Sequence, residues 1–519
     1  MQATEIEIAG QVVGGEIGSI LVRQKSGQNI ELGDLLVADS DPDGSFLLLK
    51  VIDLKYGSQI PDTVRQLAAG LKLEGYSESI DFLDPKLRNY VVAVIKPIAR
   101  ISKNSDEVHI PKTMPAFFSG VRFATKEDLS FLSVPSNPVY LGKVRSGSKV
   151  LDVDVYLNAD DLFTHHVLIP ATTGRGKSNL LKVILWDLLD RGRIGVLVLD
   201  PHDEYFGRDG QGLKDHPNAK KNLVYYTSHA PVGANTLVVN LETIAPDHFD
   251  GIVSFTDAQQ NAITESYREY ETHWIEQLVL GTPIEGVAPG TLRVLQRKIR
   301  TSLGVRVRDR RVVCDTEVFS TDAGRSTIDS IVKSLESGKV VVVDTSRLSD
   351  DAELLIGSII ANELLDAHKE LKAIGQLAKQ PPVSIVIEEA PRVLSAESME
   401  ESSNIYSTVA REGRKFKVGL VAVTQLTSII PRMVLTNMNT KIILGNEMVT
   451  EREAIVDSAA QDLSEEDKTI ASLDKGEALV SSIFTKFAIP IYTPKFETLL
   501  TRKGAKDEFD LDSAPFVPK

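Results

Sequence analysis

One cysteine, Cys314, stands in 519 residues, which excludes an internal disulfide and a cysteine-rich zinc site. No apolar run approaches the roughly 18 residues of a membrane helix. The longest, such as VVVV at 340–343, are strand-sized. The opening MQATEIEIAG is polar and acidic, without a secretory pattern, so the expected location is the cytoplasm. Positive charge is in deficit: the net charge is −14, and any nucleic-acid contact must come from a local patch. A charged fraction of 25% shows no hyperthermophile enrichment. There is no internal repeat. What remains is an ordinary globular composition, 42% hydrophobic, in a chain too long for one core, so two or three domains are expected.

Residues 1–133 read as β-rich. EIEIAGQVVG, SILVRQ, DLLVAD, SFLLLKVIDL and YVVAVIKPIARI are short apolar or alternating runs separated by turn residues. Short strands at close spacing predict a small N-terminal β-barrel. VPSNPVYLGKVRSGSK (134–149) is rich in Pro, Gly and Ser and reads as a linker. From 150 to about 500, strands alternate with helices, the pattern of an α/β fold with a parallel sheet covered on both faces. The expected strands are 166–170, 195–200, 222–227, 339–344, 383–389, 418–424 and 441–445. A mainly helical insertion is expected at about 245–335. The acidic segment KDEFDLDSAPFVPK (506–519), within a C-terminal tail of 501–519, reads as disordered or as an arm for a neighbour.

The segment PATTGRGKSN (170–179) follows the apolar run HHVLI and opens the amphipathic stretch KSNLLKVILWDLL. Strand, glycine loop and helix in that order form a phosphate cradle of the P-loop type. Amides around Thr172, Thr173, Gly174, Arg175, Gly176 and Asn179 would surround the phosphates of ATP. Lys177 would reach the β- and γ-phosphates, and Ser178 would ligate Mg²⁺. The fingerprint GxxxxGK(S/T) has glycine where this chain has Ala171, which fits if its φ stays negative.

A second element, SIVIEEAPRVL (384–394), ends an apolar strand in two carboxylates. Glu388 is expected to act through Mg²⁺ and Glu389 to polarise the attacking water. The competing reading is an acidic helix cap. A third, AREGRKFKVGLVAVTQ (410–425), closes a helix with Arg411 and Arg414 and ends a strand at Gln425. Either arginine would serve a neighbouring subunit's γ-phosphate, and Gln425 would sense that phosphate; ordinary ion pairing to Glu412 or Glu389 is the alternative.

Two basic stretches stand out. RVLQRKIRTSLGVRVRDRR (293–311) holds eight Lys or Arg and one Asp, either a phosphate-contacting patch or a solvated helix face. GRDGQGLKDHPNAKK (207–221) reads as a flexible loop carrying Arg208, Lys214, Lys220 and Lys221 into a channel. Without interleaved aromatics it would track a backbone and not stack on bases.

Taken together, LGKV, TTGRGKSN, VLVLDPHDEY (196–205), IEEAPR and AREGRKFKVGLVAVTQ resemble the HerA branch of the FtsK–HerA superfamily over roughly 1–500. Departures are Ala171, Asp203 (where the family's DPHGEY has glycine) and Glu388. The resemblance implies a RecA-like P-loop ATPase core behind a barrel of the HerA–ATP-synthase type. It further implies a homohexameric ring around double-stranded DNA, working with a NurA-type nuclease or a sirtuin-like or nuclease defence effector. Asp200, His202 and Glu204 would then sit beside the P-loop; the alternative for them is a turn and helix cap. The rival function is a regulatory ring that assembles and gates a partner enzyme, with ATP as a switch.

Overall fold

The computed structural model describes residues 7–39, 44–75, 89–102, 107–230, 234–401 and 404–501. The expected tail 506–519 lies outside them. The N-terminal strands are β1 (Gly10–Glu16), β2 (Ser19–Gln24), β3 (Leu35–Asp39), β4 (Phe46–Ser58), β5 (Asn89–Ile101), β6 (Val108–His109) and β7 (Gly120–Phe123). They pair in the order β2-β1-β7-β3-β4-β5, and a further β2–β5 pairing closes the ring into a barrel. Closure demands bent strands, and register shifts at Val12/Gly14, Leu48/Leu49 and Val51/Asp53 supply the bends. Inward residues such as Val22, Leu36, Leu47, Leu49, Ala93 and Ile95 fill the barrel.

The second sheet begins with β8 (Pro138–Ser146), β9 (Lys149–Asn158), β10 (Val167–Pro170), β11 (Gly195–Asp200), β12 (Leu223–Thr227) and β13 (Asn235–Thr236). The insertion adds two small pairs, β14 (Val239–Asn240) with β17 (Phe319–Ser320), and the hairpin β15 (Val305–Arg308) with β16 (Arg311–Cys314). The sheet resumes with β18 (Val340–Asp344), β19 (Val383–Ile387), β20 (Val418–Thr424), β21 (Thr440–Leu444), β22 (Glu477–Ser482) and β23 (Ile489–Tyr492). Its order is β13-β12-β18-β11-β19-β20-β10-β21-β22-β23-β8-β9, parallel through β21 and antiparallel beyond. One strand, β20, stands between the P-loop strand β10 and the acid strand β19.

Alternate residues of the central strands enter different cores. Leu197, Leu199, Val341 and Val343 pack on one face, Val196, Val198, Val340 and Val342 on the other. That two-sided burial is why these strands read as continuous apolar runs. The insertion is mainly helical, as expected, and closes the first face with Phe249, Trp274, Ile275, Leu295 and Ile299.

The stretch expected to be a linker is instead largely strand. Pro138 sits at the first residue of β8, where no ladder donor is lost, and Gly142 lies at a register shift against β9. A bulged strand that opens on proline has the composition of a linker.

Three ion pairs join the barrel to residues 462–468: Lys96–Asp462 at 2.7 Å, Lys468–Asp53 at 2.8 Å and Lys50–Glu466 at 2.7 Å. Only the last is buried, with side chains 1% and 10% exposed. Burial lowers the Lys50 pKa and the Glu466 carboxylate opposes it. Removing one partner leaves the other charge uncompensated, so Lys50→Met is expected to cost about 3–5 kcal/mol in urea unfolding. The double variant Lys50→Met/Glu466→Leu should return to within about 1 kcal/mol of the unaltered chain. A single variant as stable as the parent would contradict this.

Candidate functional site

The P-loop leaves β10 at Pro170 and enters the helix Lys177–Leu189. Ala171 is fully buried, its amide donates to the Thr424 carbonyl at 3.0 Å, and its φ is not positive, so alanine fits. Thr172 N–H donates to Gly445 O at 3.2 Å, which fastens the loop to β21 as well as β20. Gly174 and Gly176 have φ of +80° and +102°, values that require glycine.

Among the described residues, the amides of Gly174, Gly176, Lys177 and Ser178 have no acceptor in the protein. Four unmet donors at an exposed helix N-terminus fit the phosphates of ATP. Lys177 turns back on the Ala171 carbonyl at 3.2 Å; burial lowers its pKa, against the pull of Glu389 and Glu388. Ser178 stands half-exposed at the start of the helix.

Two P-loop residues expected to bind nucleotide have other partners. The Asn179 amide donates to Pro494 O and its oxygen accepts from Phe496 N, both at 2.9 Å, which anchors the chain beyond β23. Arg175 donates to Leu473 O at 3.0 Å and pairs with Glu447. Glu447 also accepts from Thr172 Oγ1 at 2.8 Å, so one carboxylate braces the loop at two points. The sequence reading missed Glu447. The usable signal was its position just beyond β21, a neighbour of β10 in the sheet.

The acid turn follows β19. Glu389 is exposed, at the unusual φ of +51° for a residue with a side chain. Its Oε1 accepts from Gln425 Nε2 at 2.9 Å, and Gln425 Oε1 accepts from Thr173 Oγ1 at 2.7 Å. Loop, glutamine and acid are thus wired across the end of β20. The short helix after the turn is capped by Ala390 with no side-chain bond, so the two glutamates are not its cap. Glu388 lies deeper; burial raises its pKa, and it accepts the hydroxyl of Tyr205.

Tyr205 is held there by the turn after β11. Asp200, fully buried and pushed up to about 6 by burial, accepts the amides of Glu204 and Tyr205 at 3.0 Å each. Asp200 therefore shapes the turn that aims Tyr205 at Glu388. His202 and Glu204 are exposed and their side chains make no hydrogen bond or ion pair among the described residues. Asp203 has φ of +51°, a left-handed position that explains glycine in the family pattern and that aspartate tolerates.

The loop 207–221 departs from expectation. Arg208 is gripped by Asp203 Oδ2 at 3.1 Å, by Asp344, by Thr227 Oγ1 at 3.1 Å and by the Tyr225 hydroxyl. Lys214 caps the carbonyls of Gly207 and Gly210. Leu213 and His216 are buried, His216 edge-on to Trp186. The loop is tied down, and of its basic side chains only Lys220 and Lys221 stay exposed and unpaired among the described residues.

Arg411 and Arg414 lie at the other edge of the sheet. The helix Ile405–Glu412 and the turn Gly413–Phe416 precede β20, whose seven residues run about 20 Å to the nucleotide side. Arg411 Nε donates to Ser407 O at 3.3 Å. Arg414 is exposed near His165 and His166, with no hydrogen-bond or ion-pair partner among the described residues. Neither arginine reaches its own chain's P-loop.

Residues 139–364 match the family model described as the central domain of helicase HerA. The DNA double-strand break repair helicase HerA of Sulfurisphaera tokodaii is 27% identical over 79% of this chain and 79% of its own. That of Saccharolobus solfataricus is 28% identical over 73% of each. Among solved structures, the bacterial conjugative coupling protein TrwB superposes with a TM-score of 0.45 at 13% identity, covering 66% of this chain and 86% of that one. The matched domain starts at β8 and runs through the P-loop, and the likeness to the curated relatives extends over most of the chain: it is a P-loop ATP hydrolase similar to the HerA helicases.

Proposed function

We propose that the chain is an ATP-driven translocase of double-stranded DNA, acting in the cytoplasm as a homohexameric ring. One observation carries the reading: the Thr173–Gln425–Glu389 chain of hydrogen bonds between the phosphate loop and the water-polarising acid. A phosphate arriving at the loop competes for Thr173, shifts Gln425 and alters what holds Glu389. Binding and hydrolysis then change the hydrogen bonds at the end of β20, a coupling that a motor requires. The substrate class comes from relatives named as DNA double-strand break repair helicases.

Lys177 and the unmet loop amides hold the phosphates, and Ser178 and Glu388 would hold Mg²⁺, which neutralises charge developing on them. Among the described residues no group of three or more His, Cys, Asp or Glu side chains could hold a metal ion by itself. Among those residues no helix is long and apolar enough to cross a membrane. The barrel serves as a platform for ring assembly and for a partner, a NurA-type nuclease or a sirtuin-like or nuclease defence effector.

The test is steady-state phosphate release with and without linear duplex DNA. Stimulation of at least about tenfold, near 1.4 kcal/mol of barrier, is expected. A rate indifferent to DNA would instead favour a regulatory ring that gates a partner.

A further inference from the structure

The helical insertion carries a basic face that the nucleotide site does not use. Helix Pro289–Leu303 buries Leu292, Leu295, Ile299 and Leu303, packing on the helices Asp257–Tyr270 and Trp274–Leu280. Arg293, Arg297 and Arg300 follow at helical spacing on its flank, where they line an open cleft of about 450 Å³ with Gln296 and Thr301. Arg293 and Arg297 are exposed and have no hydrogen-bond or ion-pair partner among the described residues. Arg300 forms the floor: one terminal nitrogen donates to the Val279 carbonyl, and its buried Nε has no acceptor.

The hairpin β15–β16 extends the face from Val305 at the cleft wall. Its two-residue loop, Asp309–Arg310, has φ of +50° and +60°, a primed turn in which asparagine and glycine are usual. Arg308 and Arg311 stand directly opposite each other, a like-charge pair that destabilises a hairpin. Arg310 and Arg311 are exposed and unpaired among the described residues. Two local choices thus work against the hairpin's own stability, and both concentrate positive charge at its tip. Residues 293–311 hold eight basic side chains against one aspartate in a chain of net charge −14.

We infer that the arginine flank of helix Pro289–Leu303 and the β15–β16 hairpin form a second, ATP-independent docking surface for the phosphate backbone of duplex DNA. The inference rests on the DNA-translocating reading and adds a contact outside the ATPase machinery. An aromatic or large aliphatic anchor of the kind that dominates protein–protein contacts is missing from the cleft lining. The exposed guanidinium groups of Arg293 and Arg297 match phosphate oxygens. A two-stranded ribbon also has the width to enter a major groove.

The test titrates a labelled blunt duplex by fluorescence anisotropy across salt, without nucleotide. The full chain is compared with Arg293→Ala/Arg297→Ala and with Arg308→Ala/Arg310→Ala. Each phosphate contact contributes about 0.9 to the salt slope, so each double variant should lower it by about 1.8 and weaken binding on the order of tenfold. Melting should not fall, and DNA-free hydrolysis should stay at the parental level, since these side chains are exposed and lie outside the ATPase machinery. Parental affinity and slope in both variants, with the parent binding duplex, would overturn the surface and leave the translocase reading standing. No duplex binding by the parent would overturn both. Competition by inorganic pyrophosphate at the cleft, with an unchanged duplex slope, would assign it to a small phosphorylated ligand and reject DNA.

Discussion

Lys177→Ala protein should fold as the parent does and hydrolyse ATP at a rate lower by at least about 10²–10³, the usual effect of losing one group that stabilises transition-state charge. The lysine sits in the loop where four amides lack acceptors, and its own contacts are two long bonds, to the Ala171 carbonyl at 3.2 Å and the Thr172 carbonyl at 3.5 Å. A bond from a charged group contributes about 1.5–3 kcal/mol at best, and both of these are long. Burial also penalises its charge, as its lowered pKa records, so removing it relieves desolvation. The loop keeps its shape by other means: Thr424 O and Gly445 O hold its backbone, and Glu447 holds Thr172 and Arg175. Thermal melting and phosphate release measured on the same sample separate the two effects. A rate within about threefold of the parent, under about 1 kcal/mol of barrier, would remove this loop from the hydrolytic mechanism.

The parts of the molecule legible in the sequence were those whose physics is local. Parallel strands buried on both faces leave apolar runs such as VVVV, and the glycine loop between strand and helix has one chemical use. Gln425 and the glutamate pair came out of the same reading because they end strands, and the ends of parallel strands share an edge. Contacts between distant segments were not legible. Tyr205 reaches Glu388 across 183 positions and Arg175 reaches Glu447 across 272, with nothing in either local pattern to announce them.

Arg208 shows the same limit from the other side. Counted as a free charge on a loop, it pointed toward DNA; folded, it lies beside Asp344, 136 residues away, and Asp203. The antiparallel extension was hidden for a different reason. β8 opens on proline and bulges at Gly142, and β23 carries Pro490 within IPIY, so both fall below the apolar-run signal.

Mixing two inactive proteins should restore hydrolysis if Arg414 completes the site of the adjacent subunit. The geometry requires an intersubunit role for any contact with γ-phosphate: Arg414 precedes β20, about 20 Å along the strand from the P-loop edge. It is exposed and unpaired among the described residues, so its guanidinium is free of a partner there. An arginine supplied in trans is worth about 10³–10⁵ in rate. A surface ion pair contributes only about 0–1 kcal/mol, so the two roles differ by far more than assay error. Arg414→Ala protein retains its P-loop, and Lys177→Ala protein retains its arginine. Where subunits exchange, a Lys177-bearing site beside an Arg414-bearing neighbour is whole, and activity should reappear in proportion to such junctions. Arg411→Ala, run in parallel, tests the nearer helix position, whose guanidinium already bonds Ser407 O. Full activity in the Arg414→Ala parent would take this residue out of the mechanism. Two inactive parents that exchange subunits without rescue would favour a role within one chain or a strictly cooperative ring.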